Sequence, residues 1–106
     1  MRAVLRNIQL MIAATMGFAG SYAQAADADH GADLAKRWCA SCHVVDGNQT
    51  QASADVAAFT TIASRSDFSP EKVAFFLLDP HPKMPSFPLS RSEAADIAAY
   101  IGSLRK

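Results

Sequence analysis

Residues 38–43 read Trp38-Cys39-Ala40-Ser41-Cys42-His43, and this stretch decides how the rest of the chain has to fold. Two cysteines separated by two residues and followed at once by a histidine form the attachment signature for a c-type haem. Each thiol adds to one vinyl group of the porphyrin, and the adjacent imidazole then lies under the iron. The motif therefore predicts one covalent haem c per chain, with Cys39 and Cys42 as attachment residues and His43 as an axial ligand of the iron.

The first 25 residues have the pattern of a secretory signal peptide. Arg2 and Arg6 make a basic start, an apolar stretch follows, and small residues occupy positions −3 and −1 at Ala23 and Ala25. The apolar run is interrupted by polar residues and is shorter than the roughly 20 residues that a membrane-spanning helix needs. We therefore expect export to the periplasm, cleavage after Ala25 and no stable membrane insertion afterwards; the alternative is an uncleaved membrane anchor.

Residues 26–106 are predicted to form a single small domain. Removing residues 1–25 takes away two arginines and no acidic residue, which leaves eight basic and ten acidic side chains. A net negative charge argues against nucleic-acid binding, which requires a basic face. The remaining chain is near the lower size limit for a self-sufficient hydrophobic core. A large apolar cofactor bonded at the centre would supply the missing core.

Hydrophobic periodicity predicts a first helix that leads directly into the attachment motif. Its apolar face carries Gly31, Leu34, Ala35 and Trp38, and Asp29 is the expected N-cap. A loop should follow over residues 44–55. Residues 57–63 are then predicted to form a short helix that turns Phe59 and Ile62 inward.

Capping signals predict two further helices towards the end of the chain. Ser69 as N-cap with Pro70 at the first helical position begins a helix that should end at Asp79. Ser90 and Glu93 form a capping box at the start of the last helix. That helix should bury one face, formed by Ala94, Ile97, Ala98 and Ile101. No segment has the alternating pattern typical of a β-strand, so the predicted fold class is all-α.

Met84 is the predicted sixth ligand of the iron. The other three methionines fall within residues 1–25, so Met84 alone remains after cleavage, on a loop that carries Pro80, Pro82, Pro85 and Pro88. Ligation by histidine and methionine is a pattern of electron-transfer haems, because the soft thioether favours reduced iron. His81 on the same loop is the competing ligand. His30 lies on the helix that carries the attachment motif and is expected to be a surface residue.

The chain resembles the small bacterial class I cytochromes c over residues 28–106. The resemblance rests on the attachment motif at 39–43, on Lys83-Met84-Pro85 as the methionine loop, and on Ile97-Ala98-Ala99-Tyr100-Ile101 in the terminal helix. It implies that the first and last helices cross closely at a glycine around the covalent haem. Here that glycine would be Gly31, packed against residues 97–100.

One departure from the family pattern concerns the support of His43. Members often have a proline in the loop after the motif, and its carbonyl oxygen accepts a hydrogen bond from the ligating histidine. This chain has Ala57-Ala58 before Phe59 instead. An alanine carbonyl can still be the acceptor, but the loop is expected to be less rigid and the orientation of His43 less strongly determined.

The favoured function is one-electron transfer in the periplasm, by a protein that is not an enzyme and has no catalytic residue. We expect transient contacts with redox partner proteins and a monomeric state; Lys36, Lys72 and Lys83 either rim the haem edge or serve general solubility. A haem-based sensor or catalyst with an open sixth position is an alternative, as is a subunit of a periplasmic dehydrogenase or oxidase. A haem-free module is a third class: a zinc site in it would have too few suitable ligands, and a Cys39–Cys42 disulfide would close only a very small loop.

Overall fold

The computed structural model describes residues 25–49, 51–53, 55–79 and 83–106. Within these residues the chain forms four helices, α1 (Ala28–Trp38), α2 (Phe59–Ala63), α3 (Pro70–Leu78) and α4 (Arg91–Ser103). The described part has no extended strand, only an isolated bridge residue at Met84, so the all-α prediction is confirmed. The predicted signal peptide lies outside the described residues except for Ala25. None of the described helices is both long and apolar enough to span a membrane.

Helix α1 begins earlier than the sequence predicted. The N-cap is Asp27, whose side chain accepts a hydrogen bond from the His30 N–H at 3.0 Å. The expected N-cap Asp29 was wrong: this residue lies in the first turn of the helix, where its negative charge still interacts favourably with the helix dipole. The predicted apolar face is confirmed, because Gly31, Leu34 and Ala35 are buried.

Helix α2 is shorter than predicted because the backbone before it is already engaged. The Phe59 N–H donates to the Val44 carbonyl at 3.0 Å, and the Ala57 carbonyl accepts from the His43 ring. Ala58 is consequently extended, with φ −64° and ψ 151°, and the helix begins at Phe59. Phe59 is buried as expected, whereas Ile62 is only half-buried.

Helices α3 and α4 begin as their capping signals predicted. Ser69 accepts the Lys72 N–H with Pro70 next to it, and Asp79 is the C-cap. At α4, Ser90 accepts the Glu93 N–H at 3.1 Å while the Glu93 carboxylate accepts the Ser90 N–H at 2.7 Å, which completes the capping box. The core lies where α1, α2 and α3 meet the buried face of α4, which consists of Ala94, Ile97, Ala98 and Ile101.

Gly31 allows α1 and α4 to touch backbone to backbone. A Cβ atom at position 31 would overlap the Asp96 carbonyl group and come within 2.9 Å of the Ile97 nitrogen. A real Cβ contact is essentially never that close, so only glycine fits the crossing. The loss of helix propensity at Gly31, about 1 kcal/mol relative to alanine, is the cost of this approach. The expectation that Gly31 packs against the segment beginning at Ile97 is confirmed.

A polar clamp joins the two helices beside this crossing. One Asp96 oxygen accepts the Asp27 N–H at 2.7 Å, and the other lies 2.7 Å from His30 Nδ1. The hydrogen bond to Asp96 and the charge of that carboxylate raise the pKa of His30. Burial alone would raise the pKa of Asp96, but the hydrogen bonds from His30 and Asp27 outweigh it and lower this pKa. His30 is thus exposed, as expected, and also bonded.

We predict that Gly31→Ala destabilises the protein by about 3 kcal/mol, the upper range for inserting an atom into a filled site. The new methyl group can be accommodated only if α1 and α4 move apart. Gly102→Ala is the matched control, because its Cβ would meet the Phe68 ring at an ordinary 3.4 Å. This control should change stability by no more than about 1 kcal/mol. Thermal unfolding measures both; equal effects would contradict a backbone contact at Gly31.

We predict that the clamp makes stability depend on pH. Folding raises the pKa of His30 above its ordinary value of 6.5. His30 therefore stabilises the fold fully below pH 6.5, and this stabilisation is lost as the pH rises through the pKa of the folded state. The Asp96 contribution is complete above 3.8 and is lost as the pH falls through its lowered value.

The variant His30→Gln keeps a hydrogen-bond donor but cannot become charged. It should therefore be most destabilised, relative to the native chain, between pH 3.8 and pH 6.5. The difference in melting temperature between the two proteins should narrow from pH 5.5 to pH 8.5. A constant difference across this range would show that His30 carries no pH-dependent stability.

Candidate haem site

The attachment motif forms a tight turn directly after α1. Cys39 is the C-cap of the helix, and its carbonyl accepts the N–H groups of Cys42 at 3.1 Å and His43 at 2.9 Å. This turn brings both thiols and the imidazole to one end of α1. Cys39 is buried, Cys42 is half-buried, and no disulfide joins them. Burial raises the pKa of the Cys39 thiol to about 11, so that thiol is neutral at physiological pH.

The His43 ring is held by the residue that stands where a proline was expected. His43 Nδ1 lies 2.5 Å from the Ala57 carbonyl oxygen. Because a carbonyl oxygen only accepts, Nδ1 carries the proton, and the lone pair of Nε2 is left for a metal. The ring also contacts Phe59, with the ring centroids 5.3 Å apart. The expectation that an alanine carbonyl can replace the proline carbonyl is confirmed.

Two adjoining cavities of about 410 and 220 Å³ lie in front of the motif. Cys39, His43 and Met84 line both cavities, and Cys42 lines the smaller one. Together they have the size of a small-molecule or cofactor site, which is typically about 300–1,000 Å³. The lining of the larger cavity is mainly apolar, and its apolar members are Phe59, Ile62, Phe68, Val73, Phe76, Leu77 and Ile101.

Met84 reaches this cleft from a loop that packs against the end of α1. The side chain of Met84 is half-buried. Three residues later, the Phe87 ring contacts the Trp38 ring with a centroid distance of 5.5 Å, which ties the methionine loop to the residue before Cys39. The competing ligand His81 and its neighbours Pro80 and Pro82 lie outside the described residues.

The donor set fits a covalently attached haem. The cleft offers two thiols for thioether bonds, one imidazole nitrogen and one thioether sulfur, inside largely apolar walls. Lys72 and Lys83 also line it, whereas Lys36 lies on the exposed side of α1. In the described part of the chain, no three or more His, Cys, Asp or Glu side chains form a group that could hold a metal ion.

Two residues that support the site were missed by sequence analysis. The Tyr100 hydroxyl of α4 donates to the Val45 carbonyl at 2.6 Å, which anchors the loop after the motif. The half-buried Gln49 side chain lies within hydrogen-bond distance of four backbone groups, two in that loop and two in the attachment motif. Gln49 lies in the segment predicted only as a loop, because a single glutamine in a polar stretch gives no signal of burial.

Comparison with known proteins places the chain in a family. The family model described as cytochrome C oxidase, cbb3-type, subunit III matches residues 26–101. The chain is 70% identical over 101 residues to Cytochrome c-552 of Bradyrhizobium diazoefficiens, and the alignment covers 95% of each chain. No solved structure matches significantly. The chain is therefore a small monohaem member of the cytochrome c family, whose cofactor is covalently bound haem c.

Proposed function

We propose that the protein is a periplasmic one-electron carrier. The observation that carries this proposal is that Cys39, His43 and Met84 line one cleft while the Ala57 carbonyl leaves only His43 Nε2 free for a metal. In the proposal Cys39 and Cys42 attach the haem, and His43 and Met84 are its axial ligands. Haem c, when bound, supplies an iron centre that takes up and returns a single electron.

The chain's own residues hold this site in place in three ways. The Ala57 carbonyl holds the proton on His43 Nδ1 and fixes the ring orientation, which also makes Nε2 a stronger donor. The contact between the Trp38 and Phe87 rings holds the Met84 loop against the motif. Apolar side chains from α2, α3 and α4 form most of the wall of the larger cavity. A site supported from several elements suits electron transfer, because both ligands can remain in place.

The carrier is proposed to be a monomer that is exported by the signal peptide over residues 1–25 and works as the domain over residues 26–106. Its redox partners would bind transiently, through small interfaces. Lys72 and Lys83 lie at the cleft and would attract an acidic partner surface. Cytochrome c-552, the relative at 70% identity, carries a name consistent with such a protein.

A haem-based sensor or catalyst is the second candidate function. It requires a sixth position that exogenous ligands can reach, and the half-buried Met84 lining both cavities disfavours this. Carbon monoxide binding to the ferrous protein at neutral pH distinguishes the two functions: an electron carrier should bind it slowly, and a sensor quickly. An optical spectrum after acid–acetone extraction should show that the haem remains with the polypeptide.

We predict that Met84→Ala keeps the covalent haem but lowers the reduction potential, because loss of the thioether removes a preference for reduced iron. Imidazole should bind the ferric variant at least about tenfold more tightly, which corresponds to about 1.4 kcal/mol. The far-red charge-transfer band of the ferric protein should disappear. Ser86→Ala, an exposed position on the same loop, is the control and should change none of these. An unchanged potential and spectrum in Met84→Ala would transfer the ligand role to His81.

We also predict that replacing Cys39 and Cys42 together with alanine abolishes covalent haem and the stable fold. Part of the core is the cleft itself, so the chain without haem leaves its apolar walls exposed. Haem staining on a denaturing gel and far-ultraviolet circular dichroism measure the two effects. Ser41→Ala, between the two cysteines, should retain both haem and helicity. A stable, helical protein without haem would disprove the claim that the cofactor completes the core.

A further inference from the structure

We propose that Gln49 is a positioning residue for the haem ligand His43. Its side-chain amide acts as the centre around which the loop after the attachment motif folds, and that loop supplies the hydrogen-bond acceptor for the His43 ring. The inference rests on the proposed function, because it assigns Gln49 a role towards an iron ligand. It concerns a residue that makes no contact with the ring itself.

The Gln49 amide is surrounded by backbone groups of the attachment loop. Its Oε1 accepts the Val45 N–H at 2.9 Å. Its Nε2 lies 2.8 Å from the Ala40 carbonyl, 2.6 Å from the His43 carbonyl and 2.8 Å from the Gln51 carbonyl. These partners determine the orientation of the amide, because a flipped group would place its oxygen against three acceptors and its N–H groups against a donor. Ala40 and His43 belong to the attachment motif.

The bonds made by Gln49 set the path of the backbone that leads to Ala57. Two backbone hydrogen bonds also fix the later part of the loop. The Ser53 N–H donates to the Cys42 carbonyl at 3.0 Å, and the Phe59 N–H donates to the Val44 carbonyl at 3.0 Å. Gln49 joins Ala40 to Gln51 by hydrogen bonds, earlier in the chain than Ser53 and Phe59. The loop shape that Gln49 holds, together with the two backbone hydrogen bonds, therefore brings the Ala57 carbonyl to His43 Nδ1.

The chain needs such a support because its loop lacks the rigidity of a proline. Ala57 and Ala58 leave both φ angles free to rotate in the unfolded and open states, whereas proline would restrict φ to about −65°. The loop also has no helix of its own between Trp38 and Phe59 among the described residues. In place of a stiff residue, the loop has one half-buried side chain whose oxygen accepts one backbone N–H and whose two N–H groups are shared among three carbonyl oxygens. Tyr100 adds one anchor from α4 at Val45.

The test measures the hydrogen bond of His43 directly in the holoprotein. The full chain is produced with haem and ¹⁵N-labelled histidine, and solvent exchange of the His43 Nδ1 proton is followed by NMR in the diamagnetic ferrous state. Gln49→Glu preserves the size of the side chain but places a carboxylate against three carbonyl oxygens. Gln51→Glu is the matched control, because it adds the same charge two residues away at an exposed position and keeps the backbone carbonyl.

We expect Gln49→Glu to accelerate this exchange at least about tenfold, equivalent to 1.4 kcal/mol in the local opening equilibrium, which is the contribution of a typical hydrogen bond. Gln51→Glu should leave exchange at the native rate. Denaturant unfolding of the same samples measures the free energy of global unfolding. In Gln49→Glu this free energy should fall by less than the local opening free energy calculated from the faster exchange. The reduction potential should also shift in Gln49→Glu and not in Gln51→Glu.

Two outcomes would overturn the proposal. Equal exchange rates in the two variants would show that Gln49 does not hold His43, and acceleration that only matches the loss of global stability would make Gln49 a purely structural residue. If Gln49→Glu yields no holoprotein, Gln49→Met, which removes the hydrogen bonds without adding charge, is measured against the same criteria. Covalent haem and a reversible potential in the native protein test the electron-transfer function independently of either variant.

Discussion

The backbone contact of α1 and α4 at Gly31 is the constraint on which the rest of the structure depends. It aligns the helix that ends at Trp38 with the helix that carries Ile97, so that the attachment motif begins at one defined place beside the core. Asp96 reinforces the crossing by accepting hydrogen bonds from the start of α1. A residue with any side chain at position 31 would overlap the α4 backbone and force the two helices apart.

The haem site is built mostly from backbone hydrogen bonds of a loop rather than from regular secondary structure. His43 depends on a carbonyl fourteen residues later, and that carbonyl depends on how the intervening loop closes. In this chain the loop closes around one glutamine side chain and is anchored to α4 by the Tyr100 hydroxyl. Polar groups that are mutually satisfied at such a site restrict its conformations, whereas an unpaired one would cost about 1–3 kcal/mol.

The same arrangement explains how so short a chain maintains an ordered site. The described core consists of buried side chains on α1, α2 and α4 together with Cys39 and Val45, and α3 lines one side of the larger cavity. Exposing an apolar cavity lining to water is unfavourable for folding, and a protein of this size has little other core to offset it. The covalent haem c of the family would cover this lining and would also be the redox centre. In the proposed function, folding, cofactor attachment and electron transfer all depend on the residues that line this cleft.

Sequence alone determined the number and order of the helices and the capping residues Ser69 and Ser90, because these depend on local periodicity and spacing. The family resemblance predicted the crossing at Gly31, which the structure confirms. Only the tertiary structure decided that Asp27 rather than Asp29 caps α1, that α2 begins at Phe59, and that Gln49 and Tyr100 hold the attachment loop. These features depend on hydrogen bonds between groups distant in the chain or within an irregular loop. A sequence pattern records periodicity and caps, but it does not record which carbonyl a folded loop presents to which side chain.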